Sequence, residues 1–247
     1  MSARHLHLAS IPNVRTIGGL AVRGGRVREG AVYRSGSLRD ATGDDLRRLA
    51  ERGVTTFVDL RMPDEIDAGG GPPRLEPFGI RWVSMPLSGM TEAFRQIARP
   101  EVNDYVASSL HILDGAVAVV PALFALLSDA PGAVAYGCTL GKDRTGVVSA
   151  LLLAALGADA GVLCDDYAES ACCLARHGEK LAWLAAEKGV AVDELLRRMR
   201  ADPAVMRGFL ARVDGERGGV DICLRDAGVD APLVERLRAR LVVEDPC

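Results

Sequence analysis

Aromatic side chains are scarce in this chain: Phe, Tyr and Trp make up 4% of its 247 residues. Positive charge is not in excess either, because 30 Lys and Arg stand against 33 Asp and Glu, for a formal net charge of −3. That balance leaves no electrostatic footprint for nucleic acid or for an anionic membrane surface. The six cysteines, at 138, 164, 172, 173, 223 and 247, form no Cys-x-x-Cys pair and have no His partners at metal-ligand spacing. A metal site and a disulfide framework are disfavoured, and reduced thiols in a cytoplasmic protein are expected. The first thirty residues mix His, Arg, Pro and Gly without the apolar stretch of a signal peptide. Apolar runs further on are broken by Pro, Gly or polar residues before they reach membrane-spanning length, so no membrane insertion is expected. No internal repeat or low-complexity tract appears, and the patterns specify no oligomeric state. What the chain does have is hydrophobic residues, 49% of the total, enough to bury a substantial core.

The stretch that organises the rest is Ala133 to Leu156. An apolar run leads into Gly137-Cys138-Thr139-Leu140-Gly141-Lys142-Asp143-Arg144-Thr145-Gly146, and an apolar helical pattern follows from Thr145 to Leu156. A strand, a Gly-containing loop and a helix start in that order aim backbone N–H groups and the positive end of a helix dipole into the loop, which suits an anion. Cys138 sits in that field, and its thiolate form gains from the dipole, the loop amides, Lys142 and Arg144. The planar fork of Arg144 can hold two phosphate oxygens at once. The loop amides from Thr139 through Leu140, Gly141, Lys142, Asp143 and Arg144 form the expected phosphate cradle. A nucleotide-hydrolysing Walker loop would need Gly at Tyr136 and Ser or Thr at Asp143, so that chemistry is disfavoured. An isolated cysteine is usually a core thiol, but Cys, five residues, Arg and Thr between a strand and a helix rarely coincide by chance.

Cys138-x-x-Gly141-Lys142-Asp143-Arg144-Thr145-Gly146 resembles the signature of the cysteine-dependent protein tyrosine phosphatase superfamily, in particular a bacterial and fungal branch that reads Cys-x-x-Gly-Lys-Asp-Arg-Thr-Gly. The resemblance extends to Asn13-Val14-Arg15-Thr16-Ile17-Gly18-Gly19 and Tyr33-Arg34-Ser35, and to the order of the C-terminal helices. Two positions depart from the branch: Gly137 replaces the usual His before the cysteine, and Thr16 replaces an Asp. Beside the loop, Arg15, Arg34 and Arg61 become candidates for lining a phosphate pocket; taken alone they would be surface charges. The resemblance implies phosphomonoester hydrolysis through a cysteinyl-phosphate, with no metal or other cofactor.

The remaining segments fit an α/β fold, a central and mostly parallel sheet flanked by helices, with a helical C-terminal extension. One phosphatase domain is expected over 1–247, with an α/β catalytic core at 1–157 and the extension at 158–247 packed on it. Alternating turn residues and short apolar pieces before Ser37 suggest a small hairpin and a strand. Thr42-Gly43-Asp44-Asp45 caps a helix that ends at Gly53, and β-branched Val54 to Val58 then reads as a buried parallel strand. That strand delivers Asp59 to the sheet's carboxyl edge, where ligands bind. Asp59 is therefore the preferred general acid, with pairing to Arg61 as the plainer alternative. Asp143 is the rival acid, and Asp64 and Glu65 are further candidates. Ile80 to Met85 forms a second strand. Helices are expected at Asn103–Leu113 and Ala116–Leu127, the latter kinked at Pro121, with His111 as a half-buried structural residue. Beyond Gly157, helical spacing marks Asp165–Leu174, Glu179–Glu187, Val192–Met199, Ala204–Val213 and Pro232–Leu241. Cys172 and Cys173 read as packing residues, and Arg197, Arg198 and Arg236 to Arg240 as solvated faces.

The expected chemistry is two displacements at phosphorus: Cys138 as nucleophile, Arg144 as phosphate fork, Thr145 easing departure of the thiolate, and Asp59 or Asp143 moving the proton. The partner is a phosphorylated substrate, either a phosphotyrosine protein or a small metabolite such as a nucleotide or sugar phosphate. Few aromatics and no basic excess lean away from a phenyl clamp and from an inositide-binding patch. The alternative is a catalytically impaired protein that binds a phosphorylated partner, an idea that Gly137 motivates.

Overall fold

The computed structural model describes residues 4–97, 99–175, 185, 186, 189, 191–198 and 200–244. Its centre is a five-stranded sheet in the spatial order β1 (Arg15–Thr16), β4 (Val32–Ser35), β7 (Ala133–Gly137), β5 (Val54–Asp59) and β6 (Arg81–Ser84). The four strands from β4 to β6 are parallel, and β1 closes one edge antiparallel to β4. Strand residues alternate between two hydrophobic clusters, one on each face. Val32, Val58, Val134 and Tyr136 join the larger cluster, while Tyr33, Phe57, Ala133 and Ala135 join the smaller. A two-residue period buried on both sides explains why these strands read as continuous apolar runs. The mostly parallel α/β sheet expected from the sequence is thus what the chain forms.

Helices cover both faces. On the smaller cluster lies α1 (Gly43–Glu51), started by a capping box in which Thr42 Oγ1 accepts the Asp45 N–H and Asp45 accepts the Thr42 N–H. Short helices α2 (Pro63–Gly69) and α3 (Glu92–Gln96) follow β5 and β6. The other face carries α4 (Val102–Asp129), α5 (Asp143–Ala155) and α6 (Ala160–Ala175). Beyond these come α7 (Val192–Arg198), α8 (Pro203–Arg217), α9 (Val220–Asp226) and α10 (Ala231–Leu241). α8 and α10 pack on α4, α9 packs on α5, and α6 lies between α5 and α8. The helix expected at Glu179–Glu187 falls mostly outside the described residues.

Three expectations need correction. Residues 102–129 form one helix rather than two, and it runs through Pro121. A proline removes a single ladder bond, whereas α4 buries Ile112, Leu113, Ala116, Val120, Leu123, Phe124 and Leu127 in the larger cluster. The apparent break at Gly115 has a packing cause: a Cβ there would lie 2.7 Å from Ser88 Oγ and 3.1 Å from Leu87 Cδ1. The same helix is, by length and composition, apolar enough to cross a membrane, so the apolar runs are less interrupted than expected. Its apolarity serves burial against α5, α8 and α10. The basic face of α10 is not simply solvated. Arg238 donates to the carbonyls of Leu156 and Arg23, and Arg240 donates to those of Leu127 and Gly132. These guanidiniums satisfy orphan carbonyls at the ends of α5 and α4, where a cation also meets the negative end of each helix dipole.

The first hairpin, β2 (Ala21–Val22) with β3 (Gly25–Val27), is joined by a strand with no clear sequence signal: β8 (Val242–Val243) pairs antiparallel with β3. Replacing Arg240 with Ala removes the charged donors from two carbonyls. The urea midpoint should fall by an amount equivalent to about 1.5–3 kcal/mol, and a wild-type unfolding curve would refute the capping role.

Candidate active site

Parallel registry puts the carboxyl ends of β4, β7, β5 and β6 side by side: Ser35 opposite Gly137, Gly137 opposite Asp59, and Asp59 opposite Ser84. The loop that leaves β7 at Gly137 turns directly into α5 at Asp143. Its N–H groups and the helix N-terminus therefore point at the crevice above the strand ends.

Two glycines let the loop sit this low. A Cβ on Gly137 would stand 2.5 Å from the Ser35 carbonyl oxygen and 2.7 Å from that of Gly36. On Gly141, whose φ is +68°, it would stand 2.4 Å from the Ser35 carbonyl oxygen. The end of β4 thus forms the floor, and only glycine fits at either position without moving backbone. Thr16 acts locally. Its hydroxyl donates to the Val32 carbonyl at 3.1 Å and accepts the Gly18 N–H at 2.8 Å, which shapes the turn after β1.

Cys138 is 4% exposed. The Thr145 hydroxyl donates to its Sγ at 3.2 Å and accepts the Cys138 N–H at 3.0 Å. The two residues are thus linked by a reciprocal pair of hydrogen bonds between the end of β7 and the first turn of α5. Arg144, in the first turn of α5, lies beside it. Its two terminal nitrogens donate to the Glu65 carboxylate at 2.5 and 2.7 Å, and the second also donates to Thr139 Oγ1 at 3.2 Å. Thr139 Oγ1 in turn donates to Glu65 at 3.0 Å. Burial pushes the Glu65 carboxyl up, but the Arg144 guanidinium, the Met62 N–H and the Thr139 hydroxyl outweigh it and bring the pKa down to about 2. Burial works against the Arg144 charge, yet Glu65, Cys138 and Asp143 raise its pKa above the usual guanidinium value. At neutral pH Glu65 is therefore an anion that orients the arginine, and it has no proton to give.

The other acid candidates occupy different settings. Asp59 has no exposed surface. Both of its oxygens accept from Arg61, at 2.7 Å from one terminal nitrogen and at 3.0 and 3.2 Å from Nε, and it also accepts the Arg61 N–H. Asp143, at the start of α5, keeps 22% of its side chain exposed and pairs with Lys142 at 3.3 Å. The Lys142 ammonium also lies 4.4 Å from the centre of the Tyr105 ring, which packs edge to face with Phe94 at 5.1 Å. Asp64 follows Pro63 at the exposed start of α2. Arg15 and Arg34 have no exposed surface and lie behind the loop, so neither lines its open side. Arg61 is held by Asp59 and by the Gly70 carbonyl. His111 is half-buried as expected; Cys173 is buried and Cys172 exposed. Among the described residues no cluster of His, Cys, Asp and Glu has the makings of a metal site.

A profile described as the tyrosine phosphatase family matches residues 6–243. Among curated proteins, the chain is 32% identical over 239 residues to a protein of Cupriavidus necator named "Putative tyrosine-protein phosphatase", covering 92% of this chain and 85% of that one. The chain belongs to the tyrosine phosphatase family. Among solved structures it is similar to P. aeruginosa TpbA, at 17% identity over 74% of this chain and 96% of that one, with a TM-score of 0.32. A structure of TpbA in complex with pTyr matches at 18% identity and a TM-score of 0.31, over the same shares of the two chains.

Glu65 is the site residue whose role sequence reasoning missed. It lies in the first turn of α2, six residues after Asp59, and nothing local points it toward an arginine 79 residues further on. The tight floor and the Glu65–Arg144 pair can each be tested. Gly137→Ala should cost about 1–3 kcal/mol of stability by overpacking and should lower kcat; unchanged melting would mean that the β4 floor yields freely. Because the Glu65 pKa is depressed, the stability of its pair with Arg144 is fully present above the unfolded carboxyl value and is lost as pH falls through about 2. Acid unfolding of Glu65→Gln, followed by circular dichroism, should therefore lack that part of the transition between about pH 4.5 and 2.

Proposed function

We propose that this phosphatase hydrolyses phosphate monoesters through a cysteinyl-phosphate formed on Cys138. The observation that carries the reading is the Thr145 hydroxyl donated to the Cys138 sulfur, at the mouth of a strand–loop–helix turn with Arg144 alongside. Phosphate oxygens would lie against the amides of Thr139 through Arg144 and on the Arg144 guanidinium. The thiolate attacks in line, the S–P bond forms, and the P–O bond to the leaving group breaks as that oxygen takes a proton from a carboxylic acid beside the loop. Water then attacks phosphorus and gives up its proton to the same carboxylate, while the Thr145 hydroxyl stabilises the departing thiolate. Amides and guanidinium placed before reaction supply the charge stabilisation.

We assign the proton to Asp143. Its partial exposure inside the loop supports this, whereas Asp59 is fully enclosed with both oxygens on Arg61. For substrate, the reading favours an ester bearing one phosphate, with phosphotyrosine as its model. Lys142 and Arg61 are already paired with Asp143 and Asp59, which leaves little provision for further phosphates. The five described cysteines are free thiols, in keeping with a cytoplasmic enzyme.

The test is phosphate release in the presence of a chelator, across phosphotyrosine peptides, inositol phosphates, and nucleotide and sugar monophosphates. Cys138→Ser should bind substrate and release no phosphate; retained turnover would exclude the covalent route. Asp143→Asn should lower kcat about a hundredfold on substrates with poor leaving groups and flatten the alkaline limb of the pH profile. Asp59→Asn should instead lose about 3–5 kcal/mol of stability by stranding Arg61, and the reverse pattern would return the acid role to Asp59. Tight binding of a phosphorylated ligand without hydrolysis by the wild-type protein would favour a binding protein.

A further inference from the structure

The phosphate loop works only if its peptide planes face the right way. In a planar trans peptide the C=O and N–H point in opposite directions, so a carbonyl held at the back of the loop sends the following N–H to the front. The two peptides that follow Leu140 and Gly141 are the ones most exposed to flipping, because Gly141 has no Cβ to resist it. A flipped plane would turn a carbonyl oxygen toward the phosphate.

Behind the loop, three hydrogen bonds converge on those two carbonyls. Asn13 Nδ2 donates to the Gly141 carbonyl at 2.7 Å and to that of Leu140 at 3.2 Å, and one terminal nitrogen of Arg34 donates to Gly141 at 2.9 Å. The other terminal nitrogen of Arg34 donates to Asp166 Oδ2 at 2.5 Å. Asp166 Oδ1 accepts from Arg15 Nε at 3.3 Å and from Arg4 at 3.1 Å, and the Asp166 carbonyl accepts from Arg15 at 2.6 Å. Arg15 also donates to the side-chain carbonyl of Asn13, which closes the circuit, and to Ser170 Oγ at 3.1 Å. Arg15, Arg34 and Asp166 are essentially inaccessible to solvent.

Electrostatics explains why one carboxylate governs this set. Arg15 and Arg34 lie close enough for burial and mutual repulsion to lower the Arg15 pKa. Burial alone would raise the Asp166 carboxyl, but Arg15, Arg34 and Arg4 hold it well below the usual carboxylate range. Without the Asp166 charge the two buried guanidiniums face each other with no common counter-ion, and the fork of Arg34 loses the anchor that aims its free arm at Gly141.

We propose that Asp166, on α6, is a positioning residue of the phosphate loop: through Arg34 and through Arg15 and Asn13 it holds the Leu140 and Gly141 carbonyls back, so that the Gly141 and Lys142 amides face the substrate phosphate. This rests on the phosphatase reading of the loop and adds a residue that never touches substrate. It also gives Arg15 and Arg34 a function shared with Asn13, in place of the pocket-lining role the sequence suggested for the two arginines.

The test uses the full chain with Asp166→Asn, Arg34→Lys and Asn13→Gly. Arg34→Lys keeps the charge but cannot reach both Asp166 and Gly141. Asn13→Gly removes the amide donors at a φ of +59° that glycine adopts freely. Arg212→Ala, which opens an exposed ion pair with Glu216, serves as the control. Each is scored by melting temperature, by kcat and KM on a phosphate ester, and by calorimetric binding of inorganic phosphate. Folded Arg34→Lys and Asn13→Gly should lose about a hundredfold in kcat and bind inorganic phosphate at least several-fold more weakly, while the control matches wild type. Wild-type kcat and phosphate affinity in the folded variants would overturn the proposal, and so would a fall in melting temperature with no kinetic change. If Asp166→Asn does not fold, the other two variants decide. If the wild type hydrolyses no ester but binds inorganic phosphate, and Arg34→Lys abolishes that binding, the enzymatic reading fails and the positioning role stands.

Discussion

The site depends on a steric constraint: the end of β4 comes so close beneath the β7–α5 loop that Gly137 and Gly141 touch the Ser35 carbonyl with no room for a side chain. That contact sets the depth of the loop relative to the sheet. Because β4, β7 and β5 run parallel and in register, the depth also fixes where Cys138 stands with respect to Asp59 and the start of α5. Backbone packing therefore comes before electrostatics here. The dipole, the amides and Arg144 act together only because β4 supplies a rigid floor.

Charge around the loop is organised in closed pairs. Arg144 rests on Glu65, Arg61 on Asp59 and Lys142 on Asp143. Each pair keeps a cation in one orientation and spares the site an accumulation of unbalanced positive charge. On the proposed reading, a phosphate ester would meet a guanidinium that Glu65 has already aimed. It would also have to share that guanidinium with the Glu65 carboxylate.

Much of this is legible in the amino-acid sequence, for definite reasons. The loop is readable because its pattern is local: Cys138, Arg144 and Thr145 lie within eight residues, and an apolar strand and helix flank them. β5 and α1 are readable because β-branched runs and a Thr-capped acidic turn are short-range signals. Glu65, Asp166, Arg238 and Arg240 are not, because their partners lie dozens to well over a hundred residues away. A sequence window sees such a residue only as another surface charge. Pro121 and Gly115 mislead in the opposite direction, since local helix-breaking tendencies are overridden by the burial that α4 gains in the core. Gly137 stands out as unusual in the sequence, yet its cause becomes visible only when β4 is placed beneath it.

The pairing of β3 with β8 joins the two ends of the described chain; Arg28 Nε donates to the Arg240 carbonyl across 212 residues. A ribosome delivering this chain has made the loop, the sheet and most helices before the last strand emerges. Until β8 is made, the β2–β3 hairpin presents an open edge. Since α10 also brings the arginines that cap α5 and α4, a chain truncated just short of it would carry the whole β7–α5 loop on an unfinished scaffold.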